Sequence, residues 1–581
     1  MAATPAGVTR SFPASIPWID RFPRFWGRPS DLPRDFTAIL AIVLIGGAAA
    51  IAGAVPTRIF GHDIFILLDG GWRILNGQRP QVDFSPGIGP LSFWFVAAGL
   101  KLANNSVHGV GIADGLMAVL AGGWSYLLTR RRLPWMPAAL ISCCIALFAA
   151  DPNPVGFPLY DFSHAMTYNR FGYALLGVLM AESFIEMQPA VRSKILLRGF
   201  SSGAIIILLI LIKPSYAAVG ALFLAISVPT RKAVAWRLIG MAAGLAMTTL
   251  GWLTYLRFDL AAVLSDLTLM AGAKSGALSA WGLKWAIFKG LPEFIWIGAL
   301  ALLVARVRGW RNPAARSIDI LILALTVFVG QALILATNAQ PSGYPLNAIF
   351  AILLAERGRL AADDRGPSAI TGIPGTGAAL ILMGILCFVP AFARNAFGLA
   401  GALAQRFAVP ESAQTTRFQP PHLAGLILYD VPDGTSADIR SNGRVYVNYV
   451  EEGVELIRKF SRSSETVYTL DFTDPFSYAL LRRPAHGGMT CMDYNAQFSD
   501  RFKPSADWIF GAADIVMVPK RPSATDQTTQ ALERNYLTKL ENQYRMCAES
   551  DWWKLYKRPS SLRGCTGARR DTASEEKGGA Q

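Results

Sequence analysis

Long apolar runs alternate with short basic clusters from Phe36 to about Arg394. A bilayer-spanning helix takes about 20 mostly apolar residues. Runs that meet or approach this length lie at 36–55, 110–128, 135–150, 171–187, 200–212, 216–228, 238–255, 285–305, 318–336, 346–354 and 377–392. The pattern predicts about eleven spans, the run at Leu346 being the shortest. Basic groups follow alternate runs: Arg130–Arg132; Arg192, Lys194 and Arg198; Arg231, Lys232 and Arg237; Arg306, Arg308, Arg311 and Arg316; Arg357 and Arg359. Short loops rich in Lys and Arg stay in the cytoplasm. The N-terminus is therefore expected inside and the chain beyond the last span outside. Residues 1–35, with Arg10, Arg21, Arg24, Arg28 and Arg34, read as a cytoplasmic segment before a signal-anchor helix.

The stretch 56–108 breaks this rhythm. Its apolar pieces IFILL and LSFWFVAAGL are short or interrupted, and they fit amphipathic helices lying in the membrane interface. The Arg130–Arg132 triplet reaches the cytoplasm only if 56–108 is a single external loop.

Beyond Arg394 the composition is that of a soluble domain. VEEGVELIRKF, DPFSYALLR and TTQALERNYLTKLENQY read as helices; ETVYTLDF, DIVMVPK and WWKLYKR read as strands. The expected fold class is an α-helical polytopic membrane protein with a C-terminal α/β periplasmic domain. Its expected parts are 36–394 for the membrane domain, 395–565 for the periplasmic domain and 566–581 for a disordered polar tail.

Composition sharpens this picture. The chain has 581 residues, 52% hydrophobic and 16% charged, against about 25% charged in soluble proteins. Its net charge of +15 lies largely in short loops between apolar runs, where it sets topology. A nucleic-acid partner is not expected, because that needs a basic face on a soluble fold. Cys143, Cys144 and Cys387 lie in apolar runs; Cys491, Cys547 and Cys565 fall in the outer domain, where one pair can form a disulfide, with Cys491–Cys547 taken as the pair. There is no CxxC pattern, and the five histidines are scattered, so no structural zinc site is expected.

The first external loop is the densest polar region at the membrane surface: GHDIFILLDGGWRILNGQRPQVDFSPGIGP, with Asp63, Asp69 and Asp83. A carboxylate at the bilayer boundary is partly desolvated, which strengthens it as a base. The competing reading is that these acids only cap helices. Asp63, Gly77, Pro80, Asp83–Phe84 and Gly89–Pro90 together form a pattern. This pattern resembles the GT-C glycosyltransferases, in the branch of protein O-mannosyltransferases and lipid A aminoarabinose transferases. The resemblance implies a polyprenyl-phosphate-linked sugar donor, an essential Asp63 and juxtamembrane helices in the loop, with Asp83, Gly77 and Pro80 as loop support. Two positions depart from the family pattern. Ile64 stands where an acidic residue often follows the Asp, and Gln81 where Tyr commonly follows the Pro. Dependence on a divalent cation is left open by the first departure.

The resemblance also implies a second acid in the next external loop, DPNPVGFPLYDFSHAMTYNR, where Asp161 is the candidate among Asp151, Asp161, His164 and Arg170. Asp161 competes with the reading of a polar turn and helix cap. Lys213, in LIKPSY, emerges from a span on the outer side; a boundary lysine is costly without an anionic partner, and a lipid phosphate is such a partner. The alternative is a snorkelling lysine. Arg170 and Arg257 are further donor-phosphate candidates, and Asn338 and Tyr344 could face a sugar hydroxyl. Trp72, Trp94 and Trp281 read as interfacial belt residues. No nucleotide motif is present.

The expected reaction is a single displacement at the anomeric carbon. Asp63 serves as base on a lipid, glycan or protein acceptor, and Lys213 stabilises the leaving phosphate. A transporter or lipid flippase is the alternative; it shares the spans and the lysine but does not need one indispensable carboxylate.

Overall fold

The computed structural model describes residues 31–185, 191–227, 234–273, 280–309, 313–338, 340–363, 376–408, 414–430, 439, 442–562 and 565. Most of the N-terminal segment and the tail from residue 566 lie outside these, as does the Trp281 side chain. The helices in chain order are α1 (Leu32–Ala52), α2 (Ile64–Leu75), α3 (Leu91–Leu102), α4 (Gly109–Thr129), α5 (Trp135–Ala150), α6 (Thr167–Phe184) and α7 (Arg192–Ile210). There follow α8 (Pro214–Ser227), α9 (Val234–Tyr255), α10 (Leu260–Ala273), α11 (Ala280–Gly309), α12 (Pro313–Thr337), α13 (Leu346–Asp363) and α14 (Thr376–Phe407).

Each apolar run read as a span falls largely on a helix. Among the described residues, seven of these helices are long and apolar enough to cross a membrane by length and composition: α1, α4, α7, α9, α11, α12 and α14. The other four runs lie in shorter or more polar helices. Helices α5 and α8 have only 16 and 14 residues. Helix α6 carries Arg170 and Glu182 but is buried along almost its whole length, so protein rather than lipid surrounds its polar groups. Helix α13 is buried from Leu346 to Leu354 and turns polar at Glu356 and Arg357. Helix α14 continues through Arg394 to Phe407.

Helices α7 and α9 cross at very short range. Gly199 and Gly203 on one face Gly240 and Gly244 on the other, and a Cβ at any of the four would meet opposing backbone at 2.1 Å. Two facing GxxxG patterns allow this approach, which suits association in lipid, where hydrophobicity does not separate helix from solvent.

The two ends of the bundle differ in chemistry. At one end the last turn of α6 collects basic side chains. Arg237 pairs with Glu182 at 3.2 Å, Arg132 donates to the carbonyls of Glu182 and Ile185, and Arg357 donates to the carbonyl of Phe184. At the opposite end of α6 lie Tyr168 and Arg170. An 18-residue helix separates its ends by about 27 Å.

The loop 56–108 does fold into helices, α2 and α3, and α2 is packed against protein along most of its length. Its residues from Ile64 to Arg73 are almost all buried. They share an apolar core with the C-terminal unit, in which Phe65, Leu68 and Phe93 pack with Tyr446, Val450 and Trp553. That burial explains why the segment is too apolar for a loop and too short for a span.

The C-terminal unit has a hairpin of β1 (Thr415–Arg417) and β2 (Ile427–Tyr429), then α15 (Gly443–Phe460). Its main sheet has the order β3 (Val467–Thr469), β4 (Ile515–Pro519), β6 (Trp553–Lys557), β5 (Arg545–Glu549). The β3–β4 pair is parallel and the others are antiparallel. The expected helix at 528–544 is present but contains a π turn at Glu533–Leu537. The disulfide joins Cys547 to Cys565, with Cα atoms 5.1 Å apart, which corrects the Cys491–Cys547 pairing. The turn after β6 returns Cys565 to the outer strand, whereas Cys491 is buried beside the Gly87 turn of the first loop.

Candidate active site

The chain leaving α1 is held by two histidines. The backbone N–H groups of Ala54 and Val55 donate to His108 Nδ1 and His164 Nε2, at 3.1 and 3.3 Å. The other nitrogen of His164 faces Asp114 at 3.2 Å. Two residues on, Thr57 pairs with β2: its N–H donates to Ile427 and its carbonyl accepts from Tyr429. These contacts fix the path into the short 3-10 turn Gly61–Asp63.

Asp63 ends that turn, 15% exposed, with Oδ1 3.1 Å from His62 Nε2. Its charge reaches Tyr168 in the first turn of α6, Tyr446 of α15 and Cys491. Asp63 thus stands where the first loop, the bundle and the C-terminal unit meet.

Lys213 lies in the turn between α7 and α8, half-buried. Its Nζ donates to the Thr337 carbonyl at 2.9 Å and to Asn338 Oδ1, and sits 5.8 Å from the Tyr168 ring centroid. Asn338 in turn donates to the Tyr216 hydroxyl, which donates to Asn169 Oδ1. The Lys213 ammonium thus sits by the Tyr168 ring, and the Asp63 charge also acts on Tyr168.

Backbone contacts couple the loop to the lysine turn. Gly89 N–H donates to Ile212 and Leu91 N–H to Leu211, at 3.1 and 3.0 Å. A Cβ on Gly89 would lie 2.2 Å from the Leu211 oxygen, so only glycine permits this approach. The same loop pairs with the C-terminal unit through Ser85 and Thr490, and through the Asp83 carbonyl, which accepts from Gly487. Burial raises the Asp83 carboxyl, but its hydrogen bonds with Arg79 outweigh this and hold it below the usual range; His486 lies 3.2 Å away. Gly77 ends the α2 region with φ +83°, and Pro80 bridges to Phe84 in the next turn.

Asp161, Arg170 and Arg257 stand elsewhere. The electrostatic partner of Asp161 is Arg58, which rests over Tyr160 and Tyr429. Arg170 is buried against Asp151 at 2.8 Å and donates to the Asn153 carbonyl and Asn395. It borders a cavity of about 470 Å³, lined also by Tyr173, Glu293, Trp296, Tyr344 and Arg394. The Tyr173–Tyr216 ring pair, 5.4 Å between centroids, separates this cavity from the Lys213 cluster. Arg257 projects from the exposed turn between α9 and α10. Tyr344 stacks on Phe328 and donates to the Ala286 carbonyl, so it packs α11 against α12.

No protein-family model matches the chain, and no curated protein matches it. Among solved structures, ArnT from Cupriavidus metallidurans bound to undecaprenyl phosphate superposes with a TM-score of 0.46 at 14% identity, covering 91% of this chain and 98% of that one. ArnT in the apo state gives a TM-score of 0.45 at 14% identity, over 90% and 98%. The oligosaccharyltransferase AglB from Archaeoglobus fulgidus, in complex with an inhibitory peptide and a dolichol-phosphate, gives 0.38 at 12% identity, over 90% and 74%. Superposition this loose leaves donor and acceptor to be argued from the chain's own residues.

Three features of the site were not legible beforehand. Tyr168 carried no signal beyond its place in an external loop. His62 precedes Asp63 directly, yet adjacent residues rarely face each other outside a tight turn. Asp69 is no cap: with Arg73 and Asp474 it forms a buried ionic group, Arg73 Nε lying 2.8 Å from Asp69 and its NH2 4.0 Å from Asp474. Burial pushes both carboxyls up, and Arg73 pulls both back.

Proposed function

We propose that the chain is a membrane glycosyltransferase that moves a sugar from a polyprenyl-phosphate donor to a lipid, glycan or protein acceptor at the outer face of the membrane. A carboxylate, Asp63, and an ammonium, Lys213, that both act on Tyr168 in the first turn of α6 carry this reading. The Asp63 carboxylate takes the proton from an acceptor hydroxyl or amine. The freed electron pair forms the new bond to the anomeric carbon as the bond from that carbon to the phosphate oxygen breaks. Charge then builds on the departing polyprenyl phosphate, where the Lys213 ammonium stabilises it. Asn338 and the Thr337 carbonyl aim that ammonium. Neither Arg170, neutralised by Asp151, nor the exposed Arg257 shares this position.

Two observations support an outer location. The site lies at the end of α6 opposite the basic cluster, which the positive-inside rule assigns to the cytoplasm. The Cys547–Cys565 disulfide suits an oxidising compartment. Among the described residues, no three His, Cys, Asp or Glu side chains gather to hold a metal ion, and Asp63 faces His62 instead. The donor set does not fit a multi-carboxylate metal centre, and no step is routed through one.

The test is release of undecaprenyl phosphate, and transfer of label to membrane acceptors, from a panel of radiolabelled undecaprenyl-phosphate hexoses and pentoses. D63N is expected to lower turnover by about 10²–10⁴-fold, the range for a lost general base. Wild-type turnover in a normally expressed D63N protein removes Asp63 from the mechanism.

A further inference from the structure

We propose that His62 is the positioning residue for Asp63, and that the C-terminal unit holds it in place through Phe472 and Tyr446; this rests on the reading of Asp63 as the base. His62 is 6% exposed, and its Nε2 lies 3.1 Å from Asp63 Oδ1. Its ring meets Phe472 and Tyr446 edge-on, with centroids 5.2 and 6.3 Å away. Both aromatic residues come from the C-terminal unit, more than 380 positions later in the chain.

The hydrogen-bond inventory of the ring selects one arrangement. Nδ1 is buried and has no hydrogen-bond partner among the described residues. A hydrogen on Nδ1 would be a buried donor with no acceptor, which is costly. A hydrogen on Nε2 faces the Asp63 carboxylate, 3.1 Å from Oδ1. That tautomer sets its N–H beside Oδ1 and leaves Oδ2 to receive the acceptor's proton. This close polar contact from the neighbouring ring restrains the carboxylate, a restraint that a lone aspartate at the end of a 3-10 turn lacks.

The aromatic wall behind His62 is itself rigid. Asp471, next to Phe472, accepts from the Tyr449 hydroxyl at 2.5 Å, from Ser523 Oγ at 2.6 Å, and from the Ser523 and Ala524 N–H groups at 3.0 and 3.1 Å. Tyr449 stacks on Tyr446, 6.0 Å between centroids. The wall is therefore in place only when the C-terminal unit is docked, so docking and the aim of the base are one event.

The experiment uses the full chain in lipid nanodiscs with the same undecaprenyl-phosphate sugar panel. H62F keeps an aromatic ring but no donor; H62Q keeps an N–H that reaches Asp63. H62F is expected to lower kcat by about 10–100-fold with little change in KM, the cost of a base misplaced by about 1 Å. H62Q is expected to recover most of that loss, and H62F is expected to cost nothing further in a D63N background. F472L, which leaves both His62 and Asp63 intact, is expected to lower kcat several-fold, and it carries the test if H62F does not fold. Wild-type kcat in H62F or F472L, or equal damage in H62Q and H62F at equal melting temperature, overturns the role of His62 while D63N still lacks activity. Equal turnover in D63N and wild type overturns the base assignment and this inference together.

Discussion

Replacing Gly89 by alanine is the sharpest probe of how the first loop and the Lys213 turn act together. The added Cβ would lie 2.2 Å from the Leu211 oxygen, 2.3 Å from the Ile212 oxygen and 2.5 Å from the Ile212 carbonyl carbon. These are backbone atoms at the end of α7, not flexible side-chain tips, so the loop must retreat by about 1 Å to reach ordinary contact. That retreat stretches the Gly89–Ile212 and Leu91–Leu211 hydrogen bonds, each contributing about 1 kcal/mol. Overpacking adds about 1–3 kcal/mol. A loss of about 3–5 kcal/mol in loop seating is therefore expected, without deletion of any chemically active group. Hydrogen exchange read by mass spectrometry should show faster exchange in the peptide spanning 86–91, and undecaprenyl phosphate release should fall by at least about tenfold. G251A is the matched control, because a Cβ there meets nothing within 4 Å, and it is expected to leave both readouts unchanged. Wild-type exchange and turnover in G89A would refute the idea that this backbone seam sets the site.

The remaining predictions concern Lys213, Arg73 and the buried acid Asp266. K213M is expected to slow release of undecaprenyl phosphate by about 10²–10³-fold, as for other lost transition-state donors, and wild-type turnover would exclude that role. R73M strands Asp69 and Asp474 in the seam between α2 and the C-terminal unit and empties bonds to the carbonyls of Ala485 and Gly487. The cost should be about 3–5 kcal/mol, seen as limited proteolysis that separates the C-terminal unit from the bundle; an unchanged cleavage pattern would contradict it. Asp266 of α10 accepts from Ser85 at 2.5 Å, and burial raises its carboxyl from 3.8 to about 6. A raised acid contributes stability that is complete below the unfolded value and lost as pH rises through the folded one. D266N should therefore raise thermal stability over wild type by about 1–2 kcal/mol more at pH 8 than at pH 5. Equal gains at both pH values would show that the buried carboxyl does not carry this linkage.

Much of the architecture was readable along the chain. Apolar runs and basic clusters marked helices in the right places, because in lipid every backbone polar group must be satisfied within its own segment. Composition alone was less able to say which helices face lipid: α6 holds Arg170 and Glu182 because other helices surround it. The loop 56–108 was recognisable as unusual, but α2 owes its apolar face to the C-terminal unit rather than to the membrane. Asp63 and Lys213 stood out separately, as an acid and a cation at a boundary where both are costly. The seat of the Lys213 ammonium by Tyr168, the grip of Phe472 on His62, the Asp69–Arg73–Asp474 group and the Cys547–Cys565 bridge were decided only by the tertiary fold. Local pattern records what each segment must bury; which distant segment does the burying depends on packing among elements far apart in the chain, and the candidate site is made of such contacts.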